Sequence, residues 1–211
     1  MRRSRPITFP NSHDLRIHCR GRLPHWELAN APYFVTYRLE DALPHDVIVR
    51  LEVERQAVER SLTGGGRAPS ATESAQISRM YGRRLDSCLD AGYGACHLRR
   101  REIAQIVVDN WSFFDGRRYD LFAWCVMPNH VHLIFRLFEG VTLGQLFHSW
   151  KSYTANRANS LLDEEGPFWQ REYFDRIIRD QREFAEDVEY VLYNPRKIGM
   201  KNWPYVGSKF W

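Results

Sequence analysis

The sequence has little that would carry it across a membrane, staple it with disulfides or cradle a nucleotide. No apolar run approaches the roughly 20 residues of a transmembrane helix. The basic start Met1-Arg2-Arg3-Ser4-Arg5-Pro6 has no apolar stretch behind it, so neither a secretory signal nor an anchor is expected. There are four cysteines, Cys19, Cys88, Cys96 and Cys125, and no Cys-x-x-Cys pair. A zinc knuckle and a disulfide framework are thereby excluded as organising devices, and reduced thiols in a cytoplasm are expected. A surplus of one charge is lacking too: 30 Lys and Arg stand against 26 Asp and Glu, and the resulting +4 is by its sign alone weak evidence for nucleic acid. The one glycine run, Gly64-Gly65-Gly66, is not followed by Lys-Ser/Thr, which excludes a phosphate loop and leaves a flexible surface loop. No internal repeat is visible.

What is present is enough chain, at 211 residues, for one domain with a sizeable core, and strand-forming aromatics gathered in a few runs. Residues 32–39 (Pro32, Tyr33, Phe34, Val35, Thr36, Tyr37) read as the first strand. Asp46 is placed to N-cap a helix carrying Val47, Ile48, Leu51 and Val58, and helical spacing resumes over 73–89. A helix over 101–114 buries Ile103, Ile106, Val107, Trp111 and Phe114. Residues 119–127 and 130–137 read as a strand hairpin joined by Pro128-Asn129. Thr142 caps a helix over 143–162, residues 168–178 form a fourth strand bent near 175, and Asp180 caps a last helix that Asn194-Pro195 stops. The tail to Trp211 packs back on the domain.

With the last helix and the paired helices of the first crossover set aside, this order is βαββαβ. The expected fold is therefore α+β and ferredoxin-like, with a four-stranded antiparallel sheet, helices on one face, a helical insertion in the first crossover and an extra C-terminal helix. The organisation is one domain over 1–211. It comprises an irregular basic arm over 1–31 (Arg2, Arg3, Arg5, Arg16, Arg20, Arg22), a helical segment over 45–115 with its loop near 63–72, and the terminal helix over 180–195.

Chemistry centres on Met127-Pro128-Asn129-His130-Val131-His132-Leu133. A strand has a side-chain period of two, so His130 and His132 share a face while Val131 and Leu133 take the other. Two neutral imidazoles side by side suit a divalent metal. A bare His-x-His is short, and taken alone a pair of satisfied surface histidines is the commoner outcome. On the last helix, Tyr190 and Asn194 stand four apart on one face. An amide oxygen can bind Mg²⁺ or Mn²⁺, so His130, His132 and Asn194 would form a phosphodiester-activating centre with Tyr190 as nucleophile. Taken alone, Tyr190 is more often a half-buried helix tyrosine, and Asn194 a helix cap.

The 127–133 stretch resembles the HUH motif of single-tyrosine transposases, with Val131 as the bulky apolar residue. Phe168-Trp169-Gln170-Arg171-Glu172-Tyr173-Phe174-Asp175 and Val188-Glu189-Tyr190-Val191-Leu192-Tyr193-Asn194-Pro195 resemble the downstream blocks of REP-associated tyrosine transposases, as do Leu23-Pro24-His25-Trp26-Glu27-Leu28 and residues 33–39 upstream. The resemblance runs from about residue 22 to 205. It implies metal ligation by His130, His132 and Asn194, nucleophilic attack by Tyr190, and cleavage and rejoining of single-stranded DNA near palindromic hairpins through a 5′-phosphotyrosine. It also implies a bacterial monomer with the tyrosine helix in cis. Residues 45–110, and Gly64 to Ser70 above all, depart from the pattern. Phosphate contacts are expected from Lys151, Arg157, Arg171, Arg176, Arg179, Arg196 and Lys197, which cluster around the site, although a solvated surface is the plain alternative for each. Two other functions fit the same residues. A non-catalytic nucleic-acid-binding module lacks an RRM signature on any expected strand, and a replication-initiator nickase of the HUH type lacks a helicase domain.

Overall fold

The computed structural model describes residues 7–9, 16–20, 23–28 and 30–210. Its elements are β1 (Arg16–Arg20), β2 (Leu23–Glu27), β3 (Pro32–Arg38), α1 (His45–Thr63), α2 (Ala71–Leu89), α3 (Arg101–Phe114), β4 (Tyr119–Val126), β5 (His130–Leu137), α4 (Leu143–Leu162), β6 (Phe174–Ile177), α5 (Gln181–Lys197) and β7 (Val206–Ser208). A five-stranded sheet runs β6-β3-β5-β4-β7, every neighbouring pair antiparallel. Its first four strands have the ferredoxin-like order, and α1 and α2 fill the first crossover ahead of α3. The fifth strand is the tail, packed back on β4 through Trp124 opposite Gly207.

Alternation along β5 decides what lies on each face. Phe135 points toward α4, where its ring meets Phe147 and Trp150, and Trp111 of α3 joins them. His132 points the other way and meets Tyr190 of α5. Helices were expected on one face only; α5 covers the second, lying on β4, β5 and β7. Helix α2 leans on β6 beside it through Gly82. A Cβ at Gly82 would sit 2.9 Å from Cζ of Phe174, so only glycine permits this approach.

Local chemistry explains most boundaries. Ser70 and Glu73 form a capping box at the start of α2, and Thr142 and Gln145 another at α4. The glycine-rich stretch is the turn between α1 and α2, opening with Gly64 at φ 65°. Asp46 does not cap α1. The helix begins one residue earlier at His45, and Asp46 lies in its first turn, where it favours the helix dipole. The strand expected over 168–178 shrinks to Phe174–Ile177. Upstream of it Trp169 makes one bridge to Leu39 and buries its ring against Tyr37, so its aromatic run is core filler rather than ladder. The last helix does not stop at Pro195: it runs to Lys197 and closes where Gly199, at φ 80°, lets Met200 N–H bond the Pro195 carbonyl.

The arm expected to be irregular over 1–31 contains an antiparallel hairpin of β1 and β2. Ile17 and Cys19 alternate with polar residues there, a period of two that the polar composition masks. Arg2, Arg3, Arg5 and Arg22 lie outside the described residues.

One loop matters for the site. Gly94 has φ 83°, and a Cβ there would lie 2.6 Å from the Asp41 backbone oxygen. Strain and overlap with rigid backbone act together, so Gly94→Ala is expected to cost about 2–4 kcal/mol. The midpoint of urea unfolding checks this.

Candidate active site

The Pro128-Asn129 turn is tight: Met127 N–H bonds the His130 carbonyl at 2.8 Å. Asn129 is fully buried, and its amide nitrogen donates to the carbonyls of Leu89, at 3.2 Å, and Tyr93, at 3.0 Å. Its oxygen must therefore face His130 Nδ1, 2.8 Å away. An amide oxygen only accepts, so Nδ1 carries the proton and Nε2 is left with its lone pair.

His132 stands opposite Thr36 in the β3–β5 register, and Thr36 Oγ1 lies 2.8 Å from its Nδ1. The two Nε2 atoms then converge to 3.1 Å, both rings fully buried. Burial first, and repulsion from His132 second, push the pKa of His130 well below the ordinary imidazole value. Burial pushes His132 down to about 3. Both rings are neutral at physiological pH, as ligation requires. Thr36 hydroxyl can donate or accept, so His132 can place its lone pair on either nitrogen without losing its partner. An imidazole fixed on one nitrogen by an amide or hydroxyl and free on the other is the supporting arrangement of metal-binding histidines.

Helix α5 brings Tyr190 over this pair, its ring centroid 5.6 Å from His132 and 6.1 Å from Phe34. Asn194, one turn on, is 1% exposed, and among the described residues neither its amide oxygen nor its nitrogen has a hydrogen bond of normal geometry. It lies inside the helix, so it does not cap it. Leaving a buried amide unpaired costs about 1–3 kcal/mol, which a ligand would offset. Among the described residues no group of three or more His, Cys, Asp or Glu could hold a metal. Imidazole nitrogens and an amide oxygen are donors of the kind a divalent cation takes.

The Tyr190 hydroxyl donates to Asp86 Oδ2 of α2 at 2.7 Å. Burial, then the neighbouring Asp86 charge, raises the phenol pKa well above its ordinary value, while the nearby Asn194 amide works against them. Asp86 is 7% exposed, and burial pushes it up to about 7 despite the Tyr190 hydrogen bond. Both groups open onto a cleft of about 470 Å³ between α2, β6 and α5, which Phe34, Arg79, Arg83 and Arg176 also line.

The expected phosphate ligands separate by environment. Lys151 is held inside: its ammonium donates to the carbonyls of Gln170, at 2.8 Å, and Arg171, at 3.0 Å, and lies over the rings of Tyr37 and Tyr173. Burial pushes its pKa down to about 7. Arg176 pairs with Glu183 at 2.7 Å and with Asp187, its guanidinium over Phe34. Arg179 is half-buried and donates to the Ala71 carbonyl. Lys197 is exposed but pairs with Asp90. Arg157, Arg171 and Arg196 are exposed. Tyr153 of α4 is 52% exposed; its neighbours Trp150 and Thr154 supply the buried stripe of that helix.

Sequence reasoning missed Asp86, Thr36 and Arg83. Gly82 was the available signal for Asp86: a glycine in mid-helix marks a close approach, and Asp86 lies one turn beyond it.

The sheet thus carries a histidine pair that faces a tyrosine helix, and parts of the sequence are shared with known proteins. Residues 101–193 match the family model described as Transposase IS200 like, a segment that holds both histidines and Tyr190. The chain is similar to the REP-associated tyrosine transposases in particular. It is 29% identical over 104 residues to a Haemophilus influenzae protein named putative REP-associated tyrosine transposase, over 41% of this chain and 57% of that one. It is 26% identical over 93 residues to the REP-associated tyrosine transposase of Escherichia coli, over 42% and 54%. The chain thus spans about half the length of the curated relatives it matches. A solved structure described as a REP-associated tyrosine transposase bound to a REP hairpin aligns over 86% of this chain and 79% of its own, at 16% identity and a TM-score of 0.48. Among the described residues no helix is long and apolar enough to cross a membrane.

Proposed function

We propose that this protein is a metal-dependent transposase that nicks and rejoins single-stranded DNA beside palindromic hairpins. The observation that carries the reading is the convergence of two buried, neutral Nε2 atoms beneath the helix that bears Tyr190 and the unpaired Asn194 amide. His130, His132 and Asn194 would hold Mg²⁺ or Mn²⁺, with the hairpin strands as substrate, as the names of the similar proteins suggest. A divalent cation there would polarise the scissile phosphate and offset the charge that builds on its oxygens. Tyr190 Oη forms a bond to phosphorus and the bond to the 3′-oxygen breaks, leaving a 5′-phosphotyrosine and a free 3′-hydroxyl. The bond energy is kept in the phosphotyrosine, so a 3′-hydroxyl can rejoin the strand without ATP. Helix α5 and the histidine strand of one chain carry Tyr190 and both histidines, an arrangement in which the reaction would run in cis. Of the expected phosphate ligands, Arg157, Arg171 and Arg196 are exposed and have no ion pair among the described residues, and they would follow the DNA backbone.

A hairpin with a labelled single-stranded flank tests this. In Mg²⁺ or Mn²⁺ a protein–DNA adduct resistant to denaturation is expected, and none in chelator. Tight binding with no cleavage in either metal would show a binding module instead.

A further inference from the structure

The α1–α2 insertion lies wholly outside the matched segment 101–193, yet it delivers a carboxylate to the reacting oxygen. We infer that Asp86 is a catalytic residue: the general base that takes the Tyr190 phenol proton as the hydroxyl attacks phosphorus, and returns it when the strand is rejoined. The inference rests on the proposed role of Tyr190.

Four observations carry it. The Tyr190 hydroxyl donates to Asp86 Oδ2 at 2.7 Å, within the reach required of a proton acceptor before substrate arrives. The other oxygen, Oδ1, is buried and has no hydrogen-bond partner among the described residues, so none of these gives a second hydrogen bond that would fix the carboxylate in one protonation state. Gly82, one turn before Asp86, allows the helix to come this close, against Phe174. And burial sets Asp86 to about 7, the poise of a base that works near neutrality, whereas an ordinary surface aspartate would be too weak a base. The charged and titratable groups around it are Tyr190, Lys197 and Arg176, whose charges favour its ionised form or hydrogen-bond it, Asp90, which opposes ionisation, and the buried thiol of Cys125.

The step balances without a further reactant. The Oη–H bond breaks toward Asp86 Oδ2 as the Oη–P bond forms; the P–O3′ bond breaks, and the departing 3′-oxygen takes a proton from water. In rejoining, the attacking 3′-hydroxyl gives its proton to water as the P–O3′ bond forms, the Oη–P bond breaks, and protonated Asp86 gives its proton to the departing tyrosinate. The structural alternative is that Asp86 only orients the phenol. Asp86→Asn separates the two, because an amide oxygen still accepts the Tyr190 hydrogen bond but is far too weak a base to keep the proton.

The experiment is the single-turnover rate of adduct formation on the flanked hairpin, at fixed Mn²⁺, across about two pH units on each side of neutrality. A base must be ionised to act, so the wild-type rate should rise with pH and level off above about 7. Asp86→Asn should form adduct about 10²–10⁴-fold more slowly and lose the rising limb, with hairpin affinity kept. Asp86→Glu should be slower than wild type yet keep the limb. If Asp86→Asn keeps the wild-type rate, or both variants slow while the profile retains its shape, Asp86 is not the base. Should Asp86→Asn fail to fold, Asp86→Glu decides, and a profile flat through neutrality overturns the inference. An adduct that survives Tyr190→Phe would instead overturn the function on which this inference rests.

Discussion

Alanine at His130 or His132 should reduce hairpin cleavage by about 10²–10⁴-fold while hairpin binding stays near wild type. Each substitution removes one of two converging Nε2 donors. The remaining imidazole would then hold a cation with Asn194 alone, too few donors to compete with water for Mg²⁺ or Mn²⁺. The rings face the α5 side and are fully buried, so neither can contribute a phosphate contact that its loss would weaken. Asn194→Ala should impair metal use less, because one neutral amide can be replaced by water. Metal titrations of cleavage, with circular dichroism to confirm folding, check all three. Alanine variants that cut at the wild-type rate across the titration would remove the metal site.

Tyr190→Phe should abolish the covalent adduct entirely. The variant keeps the ring beside Phe34 and His132 and loses only Oη with its bond to Asp86. Its fold should survive at a cost of about 1–2 kcal/mol for the unpaired carboxylate. No other tyrosine can replace it. In-line attack needs the phenol oxygen roughly 3–3.5 Å from phosphorus. Tyr193 lies on the same helix but is 59% exposed, and Tyr153 is 52% exposed on α4. Tyr193→Phe and Tyr153→Phe should both retain the adduct, as a denaturing gel of each variant would show.

Much of the scaffold is legible in the residues because local chemistry sets it. The period of two along His130–Leu137, the Pro128-Asn129 turn and the Thr142 cap fix β5, its hairpin and α4 at the bounds the sequence suggests. The convergence of His130 and His132 follows from the same period, but the tautomer that makes it useful does not. That depends on carbonyls of Leu89 and Tyr93, brought in from the first crossover to orient Asn129. Asp86 was hidden for a related reason. On α2 it stands near Arg83, Arg84 and Asp90 and reads as part of a solvated charged face; its burial comes from contact with α5, 104 residues away. Lys151 errs in the opposite sense. A lysine between Trp150 and Tyr153 looks available to phosphate, yet the aromatic cluster beneath α4 and two carbonyls take up its ammonium. Pro195 shows the limit of breaker rules: proline should end the helix, yet the helix runs through it to Lys197 before Gly199 closes it.

Peptide mapping of the trapped adduct puts the most direct question to this account. The protein is incubated with flanked hairpin and Mn²⁺, denatured and digested, and the nucleotide-bearing peptide is sequenced by mass spectrometry. The account predicts a 5′-phosphate ester on Tyr190, in the peptide that also holds Asn194; a modified residue anywhere else, or a linkage to the 3′ side of the nick, would contradict it.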